Sequence, residues 1–431
     1  MDNSKKMTWY SLAFIAFSGV WGFGNVANGF MYFNGTQVIF SWVLMFALYF
    51  VPYALMVGEL GSAFKTSGGG VSSWINNTIG PKLAYYAGWT YWACHITYIA
   101  SKGSGGLKAL SWAVFRNAET YDTFPTHYVQ LATLAVFLFF CWVASRGMNP
   151  LKKLASIAGT SMFIMSILYI VMMIAAPAIN PDGGYVALDF SIKNVVPQFN
   201  FNYLTSLSIL VFAVGGVEKI SPYVNKVKDP SKGFPKGVIA MAIMVVVCAI
   251  LGTVAMGMMF DPAVINADPD TFNSYVANGA YWAFQKLGNY YGIGDTLLVL
   301  YALCNMIGQF AVLVVSIDAP LRMLLDNEQS KEFVPSALLK QNKYGAYKNG
   351  ILALRKAYDK IPAEYRFTKN QAVAKIFGAW CFILTAACCL FGMYSDDVFT
   401  MALNIITPIV LIALGVIMPF LAKRERAKKG A

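Results

Sequence analysis

Residues 212–237 read FAVGGVEKISPYVNKVKDPSKGFPKG. The apolar run SLSILVFAV (206–214) stops at Gly215-Gly216, Glu218 follows at once, and a loop with five lysines comes next. Two glycines and an acid are poor material for a plain membrane helix. Glycine costs about 1 kcal/mol relative to alanine in a helix interior. A charge at bilayer depth costs roughly 2.5–3.5 kcal/mol on insertion scales. The stretch makes sense if the helix breaks there and its freed backbone groups face a ligand.

Working outward, the rest of the chain is membrane material. Of 431 residues, 57% are hydrophobic and 13% charged, with a mean hydropathy of +0.54. A soluble globular protein is about 25% charged. Apolar runs long enough to span about 30 Å recur along the whole length. Backbone polar groups in lipid must be satisfied within the segment, so the spans are helices and the fold class is an all-α polytopic membrane protein. The sequence predicts ten spans, at about 9–33, 38–61, 83–103, 126–145, 154–177, 203–218, 237–260, 293–317, 372–393 and 398–421. The segment from Lys102 to Arg116 reads as an external, glycine-bearing continuation of the third. The first run is too long for a signal peptide and has no small-residue cleavage site after it. No separate soluble module is visible, so residues 1–431 form one transmembrane domain.

The net charge of +12 is distributed as membrane topology predicts. Lys5 and Lys6, Lys65 and Lys82, Arg146, Lys152 and Lys153, the lysines 219 to 236, segment 322–369 and the tail KRERAKK all fall on one side. The opposite loops hold Glu119, Asp122, Asp182, Asp189, Asp261, Asp268, Asp270, Asp396 and Asp397. Under the positive-inside rule both termini are cytoplasmic and the membrane is the inner, cytoplasmic one. Aromatic–basic patches for nucleic acid are absent. The seven cysteines lie in apolar runs without zinc-ligand spacing and read as packing residues. The two histidines, His95 and His127, are far apart, and no Ser/His/Asp set accompanies them. No metal, cofactor or catalytic residue is predicted, and the chain reads as something other than an enzyme.

A second span is interrupted in the same way. The first contains GVWGFGNVANG (19–29), with Gly19, Gly22, Gly24 and Gly29. The two broken spans lie five helices apart, as corresponding members of two inverted five-helix repeats would, and such a pair points to a transporter's midplane site. Close helix packing through small residues is the other use of such glycines.

Four stretches carry a family resemblance: Gly22-Phe23-Gly24, GELGSAFKTSGGGVSSWINNTIGPKLAYYAGW (58–89), FAVGGVEK (212–219) and NKVKDPSKGFPKG (225–237). With them the chain resembles the amino acid–polyamine–organocation transporter superfamily, and within it the glutamate/γ-aminobutyrate antiporter branch. The resemblance covers roughly residues 8 to 350. It implies a LeuT-like, five-plus-five inverted-repeat bundle that moves amino acids or their amines by alternating access, in exchange for a counter-substrate or coupled to a proton.

It also implies a binding site. The backbone of Gly22, Phe23 and Gly24, with Asn25 beside them, should face the substrate carboxylate, because a half-helix N-terminus exposes free N–H groups and partial positive charge. Ala213, Val214, Gly215 and Gly216 should offer carbonyls to the ammonium. Phe23 stands where the family has serine or threonine, which removes a hydroxyl. Glu218 has two compatible readings, as a proton- or cation-handling group and as a cap on the second half-helix. Lys219 reads as a boundary lysine. Weaker candidates are Cys94, His95 and Tyr98 on one helical stripe, the i, i+4 pair Asn305 and Gln309, and Trp21 and Phe212 as gates. Asp268 and Asp270 could attract a cation. Glu59 reads as pairing with a lysine or a helix end.

The family has twelve helices, and this chain has ten spans. KQNKYGAYKNG (340–350) resembles the approach to the ninth helix and YDKIPAEYRF (358–367) the linker before the eleventh. Only ILALRKA lies between them. This places a missing helix pair inside the basic cytoplasmic segment 322–369 and opens the alternative of a transport-impaired, binding-only form. The rival reading is a complete ten-helix core.

Overall fold

The computed structural model describes residues 7–66, 70–326, 332–340, 371–394 and 397–429. Helices make up the fold, and the described residues form a single two-residue bridge, Met7 to Val227. We number the main helices in chain order. They are α1 (Trp9–Val20), α2 (Gly24–Tyr32), α3 (Gly35–Ala63), α4 (Val71–Asn76), α5 (Pro81–Phe115), α6 (Thr126–Ala144), α7 (Met148–Ile179) and α8 (Phe201–Val214). Then come α9 (Pro230–Gly257), α10 (Pro269–Tyr290), α11 (Thr296–Leu325), α12 (Gln371–Gly392), α13 (Val398–Leu414) and α14 (Ile417–Lys429).

Among the described residues, seven helical segments are long and apolar enough to cross a membrane, or eight if the bent pair α1–α2 is one span. They fall on the runs predicted from sequence. The expected third and ninth spans are also helical, as α5 and α12. The chain is therefore an all-α polytopic membrane protein.

Both predicted breaks are present. Helix α1 starts on Thr8, whose hydroxyl accepts from the Ser11 amide at 3.4 Å. It ends at Val20 because Trp21 is extended (φ −123, ψ 138). The chain resumes as α2 at Gly24, bent by 41°. Helix α8 ends on Gly215 (φ −69, ψ 157), and Gly216 comes next at φ +103. That left-handed value suits glycine and strains other residues. A ten-residue 3₁₀ run, Val217–Lys226, then takes the place of the expected second α-helical half.

Two other elements depart from expectation. The segment after Lys102 continues α5 without interruption to Phe115. Its glycines are contact points: a Cβ on Gly106 would lie 2.2 Å from the Phe310 ring of α11. Between α9 and α11, α10 forms a 22-residue helix that buries Ala280, Tyr281, Ala283, Phe284 and Leu287. Its N-cap is Asp268, which accepts from the Thr271 amide at 2.8 Å and hydroxyl at 2.6 Å. Those donors hold the exposed Asp268 carboxyl below the usual carboxylate range. Asp268 is thus occupied as a helix cap rather than free to attract a cation.

The breaks sit side by side. The Asn25 side-chain amide donates to Val20 O (3.4 Å) and to Ala213 O (3.2 Å), so one residue ties both together. Helix α1 packs so closely on α7 that a Cβ on Gly159 would lie 1.9 Å from the Phe14 carbonyl oxygen. Helices α12 and α13 are anchored on the core. Trp380 Nε1 donates to Leu48 O at 2.8 Å, Trp89 Nε1 donates to Leu411 O at 2.6 Å, and Tyr85 OH donates to Gly415 O. The junction expected at 351–357 lies outside the described residues.

Candidate functional site

A cavity of about 1160 Å³ occupies the centre of the bundle, and both breaks line it. Its wall includes Trp21, Gly22, Gly24 and Asn25 from the first break, and Phe212, Gly215, Gly216 and Glu218 from the second. Helix α5 contributes His95, Tyr98, Lys102 and Lys108, and α11 contributes Asn305 and Gln309. Thr385 and Asn404 from α12 and α13 also reach it. The lining lies level with the breaks or toward the end of the bundle away from the chain termini.

At the termini end the bundle is closed. Met7 exchanges backbone hydrogen bonds with Lys226 O (2.8 Å) and the Lys228 amide (2.6 Å). Lys65 Nζ donates to Ser231 Oγ at 2.7 Å. Tyr223 OH and Arg322 Nε both donate to Asp318 Oδ2, at 2.9 and 2.6 Å. Glu59 is buried on α3 near this end.

The backbone chemistry of the breaks suits a zwitterion. The amides of Gly22, Phe23 and Gly24 have no hydrogen-bond partner among the described residues. They open α2, where partial positive charge collects. Among the carbonyls at the second break, Ala213 O is already engaged by Asn25. Ala213 and Val214 are buried and lie outside the cavity lining.

The Phe23 side chain points away from the cavity. It is fully buried against Tyr169 (4.6 Å between ring centroids), Phe284 (5.0 Å) and Tyr301 (5.8 Å). The missing hydroxyl is replaced by an aromatic plug behind the break, and Phe23, unlike Gly22, Gly24 and Asn25, lies outside the cavity lining.

Glu218 accepts at both oxygens, from Tyr53 OH and from Tyr91 OH at 2.7 Å. Its carboxylate is held by tyrosines of α3 and α5 and does not cap the 3₁₀ segment. His95 shares the same wall, with Nδ1 2.6 Å from Tyr91 O. A carbonyl only accepts, so Nδ1 carries the proton and Nε2 is the acceptor of the neutral ring. Asn305 Nδ2 donates to Tyr281 OH (2.9 Å) and Gln309 Nε2 to Asn305 Oδ1 (3.1 Å), forming a short polar ladder on the opposite wall. Trp21 lies edge-on to Trp42, and its buried Nε1 has no acceptor among the described residues. Phe212 is exposed and meets Tyr98 at 5.8 Å. The Cys94 side chain lies outside the described residues.

Lys219 is no boundary lysine. It is 7% exposed, lines the cavity, and sits with Nζ 4.1 Å from the centre of the Tyr98 ring. Lys102 approaches the same ring at 4.7 Å. Lys102, Lys108, Tyr53 and Tyr91 escaped the sequence reading. The signal was available for α5: Tyr91, His95, Tyr98, Lys102, Gly105 and Lys108 continue one 3–4 spaced stripe.

Comparison with known proteins agrees with this geometry. The family model "Amino acid permease" matches residues 7–355. The aspartate/glutamate permease AcaP of Lactococcus lactis subsp. cremoris is 43% identical over 483 positions, covering 99% of this chain and 97% of that protein. The inner membrane transporter YjeM of Escherichia coli is 28% identical over 56% of this chain and 49% of its own length. A glutamate/γ-aminobutyrate antiporter of L. lactis is 20% identical over 49% of this chain and 41% of that protein. The bundle, its paired breaks and these matches together show that the chain belongs to the amino acid permease family, and is a transporter rather than an enzyme.

Proposed function

We propose that this chain carries acidic amino acids across the cytoplasmic membrane by alternating access at the two helix breaks, as an exchanger. The observation that supports the substrate class is the charge of the cavity. Lys102, Lys108 and Lys219 line it against one carboxylate, Glu218. Its carboxylate oxygens are both engaged by tyrosines. A low-dielectric cavity with that balance favours an anionic occupant. Aspartate and glutamate are also what the printed name of the 43% identical relative specifies.

In this reading the free amides at the first break, those of the lining residues Gly22 and Gly24 foremost, hold the α-carboxylate, and the Gly215 carbonyl at the second break takes the ammonium. Glu218 and His95 are the groups available for a coupled proton. The termini, with the basic loops, are cytoplasmic. The cavity as found would then be open to the outside and sealed below.

The chain is a shortened member of the family. Its alignment with the lactococcal permease runs over 483 positions, 52 more than this chain has residues. That length suits two helices and short turns. The family match ends at residue 355, inside ILALRKA (351–357). The remaining α12 and α13 still wall the cavity through Thr385 and Asn404, which supports a working transporter.

The test is counterflow in proteoliposomes holding the purified chain, with labelled aspartate, glutamate, γ-aminobutyrate, glutamine, agmatine and ornithine. Uptake of glutamate or aspartate stimulated by the same substrates inside is expected. Uptake without trans-stimulation would replace exchange by uniport or proton symport. Binding without flux would identify the shortened chain as transport-impaired.

A further inference from the structure

We infer that Lys102 of α5 and Lys219 just past the second break form a two-cation clamp for the side-chain carboxylate of the transported amino acid. This assignment rests on the acidic-substrate reading and gives it specific atoms.

The arrangement is unusual in its own terms. Lys219 belongs to the 3₁₀ run just past Gly216, and Lys102 to α5, so they reach the cavity from different elements. Both ammonium groups are drawn to one ring, that of Tyr98, at 4.1 and 4.7 Å from its centre. A ring face attracts a cation through its quadrupole, and Lys102 and Lys219, both drawn to the one ring, also repel each other as like charges in a partly desolvated space. Buried cations are ordinarily paired.

Here neither ammonium forms an ion pair among the described residues, where the ion pairs are those of Arg322 with Asp318 and Asp326. The nearest acid in sequence, Glu218, has both oxygens committed to Tyr53 and Tyr91. The Glu218 charge still acts on Lys219 through space, but no ion pair joins them, and the like charge of Lys102 acts against it. A carboxylate placed between the two ammonium groups would attract both and offset their repulsion.

The placement fits a dicarboxylic amino acid. The free amides of the first break face the same cavity as α5 and take one carboxylate. The clamp takes the other. A neutral amide side chain would meet the two cations with an oxygen dipole only, so the pair should discriminate between acids and their amides. Lys108, 5.9 Å from the Tyr121 ring and farther along α5 toward the mouth, extends the positive path by which an anion approaches.

The experiment compares kcat/KM for L-glutamate with that for L-glutamine, and L-aspartate with L-asparagine, in proteoliposomes holding the wild type, K102Q, K219Q, K219R or the double glutamine variant. Charge-assisted contacts predict that the acid-to-amide ratio falls about tenfold or more in each glutamine variant. It should fall further in the double variant and be largely kept in K219R. Lys102 is only half-buried, so K102Q reads the clamp even if K219Q does not fold. A ratio that survives in well-folded K102Q and K219Q overturns the clamp, as does an equal loss for acids and amides. A wild type that carries only neutral amino acids or amines would refute the acidic-substrate reading itself, before any variant is compared. If the wild type binds without transporting, the same ratio is taken from dissociation constants.

Discussion

Phe23 and Asn25 show how two neighbouring residues at one break take different tasks. Asn25 spends its amide on Val20 O and Ala213 O, which fixes the relative position of the two breaks before any substrate arrives. Phe23 turns away and joins Tyr169, Phe284 and Tyr301 in a buried aromatic cluster. A large-to-small change in such a cluster removes burial and leaves a cavity. We expect Phe23→Ala to destabilise the protein by about 3–5 kcal/mol, seen as a lower melting temperature of the purified protein without substrate. If the ring served the substrate instead, the unliganded melting temperature would hold and only stabilisation by glutamate would be lost. For Glu218, the tyrosine partners are as informative as the acid. Tyr53 and Tyr91 are uncharged donors that position both oxygens and leave its negative charge in place to act on the neighbouring Lys219.

At the scale of elements, the geometry depends on how closely α1 approaches α7. A Cβ on Gly159 would fall 1.9 Å from Phe14 O, a backbone atom with nowhere to move unless the helices part. Overpacking of this kind costs about 1–3 kcal/mol or more. Gly159→Ala should therefore lower the melting temperature, and because α1 carries the first break it should also lower transport. Gly19 in α1 is the contrast, since a Cβ there would meet nothing within 4 Å. Gly19→Ala should leave the melting temperature near that of the wild type and act on transport alone, through a methyl group added to the cavity wall. Equal melting temperatures for the two variants would show that the α1–α7 contact does not set the fold. The second break uses glycine for another reason. Gly216 has φ +103, a conformation that lets α8 end and a 3₁₀ segment begin within two residues. That turn carries Glu218 and Lys219 to the cavity.

Across the whole molecule, one end of the bundle is open and the other is closed. The closed end combines the Met7–Lys226 and Met7–Lys228 backbone bonds with the Tyr223–Asp318–Arg322 cluster. The open end is bordered by α10, whose exposed Ala277 lines the cavity. In the proposed orientation, with the termini in the cytoplasm, an Ala277→Cys variant should react with a membrane-impermeant thiol reagent added outside intact cells. Saturating glutamate should slow the reaction at least severalfold by favouring the closed or inward-facing state. Labelling only after the membrane is opened would reverse the proposed orientation. The described native cysteines are mostly buried or half-buried, which keeps the background of such a measurement low.

The membrane class, the helical spans and the two breaks are legible in the amino-acid order alone. Apolar length, glycine placement and charge asymmetry act locally, and the bilayer enforces helix on any segment that crosses it. The same order also holds the α5 stripe from Tyr91 to Lys108, because helical spacing is readable without a partner. Packing in three dimensions puts Phe23 behind the break, makes Asp268 a helix cap, brings α10 as a helix to the cavity, and gives Glu218 to Tyr53 and Tyr91. It also moves Lys219 from the edge of the membrane into the cavity beside Lys102. Those outcomes depend on which residues of distant elements meet. A 3₁₀ turn at Gly216 rotates the side chains after it by an amount that spacing along the chain does not encode, and a lysine's surroundings are set by what packs across from it.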